Sequence, residues 1–117
     1  MLNFNSVMLG SSQPKVLAVF YENVFGKKPD MQDGDWYGWQ TATGFFAFGS
    51  HSEVKGLSKE PQRIMVSFET KDVKEEFERI SKLGATVIKA PYEMMGGFIA
   101  TLADPDGNYF QLMSPWK

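Results

Sequence analysis

A chain of 117 residues, 43% hydrophobic and 22% charged, has the length of one domain and can bury enough of its surface to fold without a covalent staple. It holds no cysteine and one histidine, His51, which excludes disulfides, thiol nucleophiles, iron–sulfur clusters, thiolate zinc sites and any three-histidine metal site within one chain. Twelve basic and fourteen acidic residues give a net charge of −2 without one-signed runs, so no nucleic-acid partner is expected.

Residues 4–9 alternate as a strand. Ser11 and Ser12 offer a helix cap, and Pro14 suits the first turn, where its missing N–H goes unneeded. Leu17, Phe20, Tyr21, Val24 and Phe25 then form one apolar helical stripe, and Gly26 is placed to end it in the left-handed conformation. Segments 36–42 and 45–49 follow as strands joined by a tight Thr43-Gly44 hairpin, with a less well-defined strand before them. The polar stretch 50–62, with Lys55, Gly56, Ser58 and Pro61, is the plausible linker.

The second half repeats the pattern. Residues 63–69 form a strand with Ile64, Val66 and Phe68 on one face and Met65, Ser67 and Glu69 on the other. Asp72 is predicted to cap a helix with Glu75 completing a capping box, Glu78 and Lys82 pair at i, i+4, and Val73, Phe77 and Ile80 are buried before Gly84 stops it. Strands 85–89, 98–103 and 109–113 follow, the last two linked by the turn Asp104-Pro105-Asp106-Gly107 and Asn108. That turn, rather than catalysis, accounts for Asp104.

Ser6 overlays Met65 and Gly26 overlays Gly84, each pair about half a chain length apart. The fold class expected is α+β, two tandem β-α-β-β-β modules in a single domain 1–117: module one about 1–50, a linker about 50–62, and module two about 63–117. The repeat is consistent with a tandem duplication or with two independent strand–helix units of similar length. The longest apolar runs, such as 16–21, are far short of the ~20 residues a membrane span needs. The first residues show no charged segment ahead of an apolar core, so a cytoplasmic protein without membrane association is expected.

Phe20-Tyr21-Glu22-Asn23-Val24-Phe25-Gly26, the Lys71-Asp72-Val73 helix entry, Leu83-Gly84-Ala85, and Asp104-Pro105-Asp106-Gly107-Asn108 with Gln111-Leu112 resemble the glyoxalase / bleomycin resistance / extradiol dioxygenase (vicinal oxygen chelate) superfamily over nearly the whole chain. The resemblance implies mixed sheets curled around a cleft, with Phe4, Ser6 and Met8, Met65, Ser67 and Glu69, and Tyr109, Gln111 and Met113 turned toward it. Metal-dependent members hold a divalent ion with His, Glu or Gln from the first and last strands of each module. Those positions carry over to Ser6, to Phe46 or Phe48, to Met65 and to Gln111. Only Gln111 is a ligand of the hard or borderline type, since the Met65 thioether is soft and suits copper(I). No metal site and no cofactor are therefore expected. His51, beside Glu53, reads as a solvated loop residue with a second reading as one that reaches the cleft if its loop folds back, Glu69 as a surface residue, and Arg63 as a solvated strand start with a second reading as an anion anchor.

The aromatics of 35–39 and 45–48 exceed what one core face can take, so at least one of Trp36 and Trp39 should line the cleft or an interface. Met94-Met95-Gly96-Gly97 pairs adaptable thioethers with two glycines, as an ordinary strand connection or as a loop able to open. No nucleophile elbow or phosphate loop is present, and no catalytic residue can be named. The function expected is a metal-free small-molecule-binding homodimer of the bleomycin-resistance kind, its ligand held by Ser6, Trp36, Trp39, Phe48, Met65, Ser67, Met94 and Gln111. The alternatives are a metal-dependent lyase, isomerase or dioxygenase on an oxygen-chelating substrate, and a dimeric scaffold without a ligand.

Overall fold

The computed structural model describes residues 1–116 and divides into two compact units, Met1–Gly56 and the chain from Leu57 onward. The first contains β1 (Ser6–Ser11), α1 (Pro14–Phe25), β2 (Met31–Asp33), β3 (Trp36–Gln40) and β4 (Phe45–Ser50). Its sheet order is β1-β4-β3-β2, with β1 parallel to β4 and the other pairs antiparallel. A parallel outer pair requires a crossover, which α1 and the following hairpin supply.

The predicted serine cap is replaced by another arrangement. Gln13 occupies the cap position without a side-chain hydrogen bond to the helix, while the Ser11 hydroxyl accepts the Gln13 N–H at 3.0 Å and Pro14 opens the first turn. Gly26 ends the helix at φ 71°, its N–H donating to Glu22 O. The weakly defined strand is β2. It turns into β3 through Gly34 (φ 60°) and Asp35, a two-residue connection with glycine at the position that needs positive φ. Between β3 and β4 the loop is Thr41 to Gly44, two residues longer than expected, closed by Thr41 Oγ1, which donates to Gly44 O and accepts Gly44 N–H.

Directly opposed residues on neighbouring strands share a face. Tyr37 opposes Phe48 and Trp39 opposes Phe46, so these four rings lie together, beneath Leu17, Phe20, Tyr21 and Val24 of α1. Tyr21 meets Phe46 edge-on at 4.8 Å between centroids, and Phe25 stacks on Trp39 at 5.4 Å. Trp39 Nε1–H donates to Lys27 O at 3.0 Å, so its one polar atom is satisfied. Each such ring contributes ~1.5–3 kcal/mol from burial, plus ~0.5–1.5 kcal/mol where ring geometry is favourable.

The second unit contains β5 (Val66–Glu69), α2 (Val73–Ser81), β6 (Thr86–Met94), β7 (Gly97–Ala103) and β8 (Tyr109–Met113), in the order β5-β8-β7-β6, with β5 parallel to β8. Its strand starts late: Arg63 N–H donates to Glu60 O and their side chains pair at 3.2 Å, so a turn takes the residues before Val66. Ile64 is consequently 72% exposed rather than packed against α2. Asp72 precedes α2 but makes no side-chain cap bond, and the ion pair on the helix joins Glu76 to Arg79 at 2.8 Å rather than Glu78 to Lys82. Val73, Phe77 and Ile80 pack over the face carrying Phe110, Leu112, Ala100 and Leu102.

β6 runs five residues beyond the predicted end. Pro91 lies where its register with β7 shifts, which an edge strand tolerates because the missing N–H would face solvent. Met95 (φ 51°) and Gly96 (φ 79°) close the β6–β7 hairpin as a two-residue turn of the type I′ kind, so this connection is tight rather than a double-glycine hinge. Asp104 is buried in its turn, Oδ1 accepting the N–H groups of Asp106 and Asn108 and Oδ2 accepting Asn108 Nδ2–H. Both units thus form a mixed four-stranded sheet with one helix, an α+β fold. Among the described residues no helix is long and apolar enough to cross a membrane.

Candidate functional site: the sheet faces away from the helices

Each sheet has one face under its helix and one turned away. On sheet one the outward set is Ser6, Met8 and Gly10 of β1, Phe45, Ala47 and Gly49 of β4, Trp36, Gly38 and Gln40 of β3, and Met31 and Asp33 of β2. Two of its glycines act as seats. A Cβ on Gly49 would stand 2.1 Å from the Trp36 ring, and one on Gly38 would stand 2.3 Å from the Phe45 ring. Both rings therefore lie against bare backbone, an approach that only glycine allows. Met8, 69% exposed, extends this apolar surface.

The parity that places Trp36 outward places Trp39 inward. Trp39 and Phe48 are fully buried beneath α1 and cannot touch a ligand on the outward face, which corrects the expectation for both. Phe46 is buried with them, so neither proposed ligand position of β4 faces outward. The residue types were suitable, but strand pairing, which sets parity, assigned them to the core.

Sheet two presents a different surface. Lys89 opposes Thr101, Thr101 opposes Gln111, and Gln111 opposes Ser67, so four polar side chains form one row across β6, β7, β8 and β5. Ser67 O–H donates to Gln111 Oε1 at 2.9 Å, and Gln111 Nε2–H donates to Thr101 Oγ1 at 3.3 Å. The next row is Tyr92, Ile99, Met113 and Glu69. Lys89 Nζ lies 5.2 Å from the centroid of the Tyr92 ring, and Tyr92 O–H donates to the Met94 sulfur at 3.9 Å. Met65 precedes β5 and is 41% exposed. Ser67, Gln111 and Met94 are thus on or beside one face. Thr101 joins them through the β7–β8 register and Lys89 through the β6–β7 register, neither of which the sequence of one strand reveals.

The remaining candidates are placed elsewhere. His51 is exposed, its Nδ1 accepting the Glu53 N–H at 3.1 Å to close the turn after β4. Arg63 is paired with Glu60, and Glu69 is exposed at the β5 edge opposite Met113.

The donor set decides whether a divalent ion of the kind such positions hold would fit. Ser6 offers a neutral hydroxyl, Phe46 and Phe48 point under α1, Met65 offers a soft thioether, and the Gln111 amide oxygen already accepts from Ser67. Among the described residues no three His, Cys, Asp or Glu side chains are grouped to hold a metal. These residues do not fit a hard or borderline metal centre.

A family model described as a glyoxalase-like domain matches residues 6–113. No curated protein matches the chain. Among solved structures it is similar to a glyoxalase/bleomycin resistance protein/dioxygenase family enzyme from Burkholderia phytofirmans PsJN, at 25% identity over 97% of this chain and 98% of that one, with a TM-score of 0.77. A glyoxalase-related enzyme from Fulvimarina pelagi matches at 17% identity over 98% and 89% of the two chains (TM-score 0.80). A lactoylglutathione lyase from Agrobacterium tumefaciens matches at 16% identity over 95% and 92% (TM-score 0.71). The last two likenesses are of fold alone.

Proposed function

This chain belongs to the glyoxalase-like domain family, and on that premise we propose that it is a metal-free small-molecule-binding protein of the sequestration type that works as a homodimer. The observation that carries the proposal is the donor set: the positions where a metal-dependent relative would carry hard ligands hold a serine, a methionine, inward phenylalanines and a glutamine whose oxygen is already engaged. What the outward faces do offer is suited to an organic ligand. Sheet one supplies flat-lying Trp36 and Phe45 rings with Met8 and Ser6, and sheet two supplies Ser67 and Gln111 with Met65 and Met94 nearby.

Burying ~200 Å² of apolar ligand surface gains roughly 5 kcal/mol, which is only sub-millimolar binding before ordering costs. Polar anchors are therefore part of the design, and Gln111 with Ser67 is a pre-oriented pair. The test is elemental analysis of the purified protein, followed by thermal shift and tryptophan fluorescence with aromatic ligands and by light scattering. We expect no stoichiometric metal, saturable binding and a dimer mass. Stoichiometric zinc, nickel, iron or manganese together with turnover of the methylglyoxal–glutathione adduct or a catechol would overturn the proposal. A monomer mass would remove the homodimer from it.

A further inference from the structure

The polar row of sheet two has a direction. Ser67 gives its hydroxyl hydrogen to Gln111 Oε1, and Gln111 gives an amide hydrogen to Thr101 Oγ1, which takes it as an acceptor. The relay therefore ends on a hydroxyl whose own hydrogen has yet to be donated, in a residue that is only 7% exposed. Gln111 Nε2 keeps a second hydrogen as well. Reversing the Gln111 amide would move the spare hydroxyl hydrogen from Thr101 to Ser67 without removing it, so the row ends in a donor either way.

Lys89 stands directly opposite Thr101 and adds an ammonium, which can only donate. Its Nζ lies 5.2 Å from the centroid of the Tyr92 ring. The row thus presents spare donors and one positive charge, while Gln111 Oε1 and Thr101 Oγ1 each already accept a hydrogen bond. The adjoining row carries Tyr92, Ile99 and Met113 and ends in Glu69 on β5, at the sheet edge opposite the Lys89 strand. A surface with unmatched donors beside an apolar strip is complementary to a molecule that brings acceptors, one negative charge and an apolar body. A single ammonium balances a carboxylate, whereas a phosphate dianion would be left undercompensated.

We infer that the outward face of sheet two binds the carboxylate of an amphipathic organic acid between the Lys89 ammonium and the Thr101 hydroxyl, with the apolar body over Tyr92, Ile99 and Met113. This deepens the ligand-binding reading proposed above and rests on it. It names the class of ligand and adds Lys89 and Thr101 to the site.

The test uses matched acids and amides: 1-naphthoate against 1-naphthamide, indole-3-acetate against indole-3-acetamide, and 3-phenylpropanoate against its amide, titrated by calorimetry into the intact protein at low salt. The acids should bind about tenfold more tightly than their amides, and added salt should narrow the gap. Lys89→Met should abolish the preference and Lys89→Arg should keep it, while Lys28→Met, which removes the same charge from the other unit, should leave it unchanged. Thr101→Val should weaken the acids several-fold and Thr101→Ser should restore them. Binding of acids and amides with equal affinity, or a preference that survives Lys89→Met, would overturn the inference and leave the ligand-binding reading standing. Failure of every acid and amide to bind would overturn both.

Discussion

Sheets one and two have the same strand order, the same parallel outer pair and a helix in the same place, yet opposite chemistry on the face turned away from that helix. Sheet one has Trp36 and Phe45 lying on Gly49 and Gly38. Sheet two has the Lys89, Thr101, Gln111 and Ser67 row. Their helix-side faces differ as well: α1 covers Tyr37, Trp39, Phe46 and Phe48, whereas α2 covers Phe110, Leu112, Ala100 and Leu102. Backbone topology can therefore be held constant while the side chains at alternate strand positions turn one outward face into an apolar platform and the other into an oriented donor row.

The sharpest way to break this comparison is to cut into the aromatic core of sheet one. Phe48 is fully buried and meets Tyr21, Tyr37, Trp39 and Phe46 at centroid distances of 5.6–6.0 Å. Phe48→Ala removes those contacts and leaves a cavity, and should cost ~3–5 kcal/mol in urea-induced unfolding. Met8→Ala, on the outward face and 69% exposed, should stay within ~0.5 kcal/mol. A small effect at Phe48 would mean that the helix-side face is not what holds sheet one together.

A smaller effect is expected where rings lie on glycine. Gly49→Ala places a methyl 2.1 Å from Trp36, so the ring must leave its seat, and the overpacking should cost ~1–3 kcal/mol with a red shift of tryptophan emission. In the Trp36→Ala background the same substitution should lose most of that cost, because the clash has gone. Additive effects would show that Gly49 is needed for its backbone conformation rather than as a seat for the ring.

Much of this organisation was legible in the sequence, and most of the failures share a cause. Leu17, Phe20, Tyr21 and Val24 are buried as their spacing predicts, β8 spans the predicted residues, Gly26 ends α1, and Asp104 holds its turn. These are local signals, decided by residues a few positions apart. The outward places of Ser67 and Gln111 also followed from alternation within one strand. The faces of Trp39, Phe48, Thr101 and Lys89 depend on which strand pairs with which residue opposite, whereas Ile64 is exposed because the Glu60–Arg63 turn delays the start of β5. Register is a long-range property, and a one-residue difference moves a side chain to the other face. The missing capping box has a local origin instead: Asp72 precedes α2, but its own N–H is taken by Thr70 Oγ1 at 3.1 Å, in a turn leading out of β5.

The mildest expected effect concerns the charges that finish each unit. In the second, Glu76 and Arg79 pair within one turn of α2. In the first, Asp30 Oδ2 accepts the backbone N–H of Gln40 at 2.7 Å and a hydrogen from Lys27 Nζ at 3.1 Å, joining the chain after α1 to the end of β3. The Gln40 N–H, and then the Lys27 ammonium, hold the Asp30 carboxyl below its ordinary value of 3.8. A carboxylate whose native pKa is depressed stabilises the fold above the unfolded value, and that contribution fades as pH falls through the native one. Asp30→Asn should therefore lower the urea midpoint slightly at pH 6, and the gap to the parent should close below pH ~3.8, leaving the two indistinguishable once Asp30 is protonated. The solvent exposure of the group keeps the effect at pH 6 well below that of Gly49→Ala, and added salt should shrink it further by weakening the Lys27 part. A gap that persists unchanged into acid would place the role of Asp30 in its shape and hydrogen bonding, and remove its charge from what fastens sheet one.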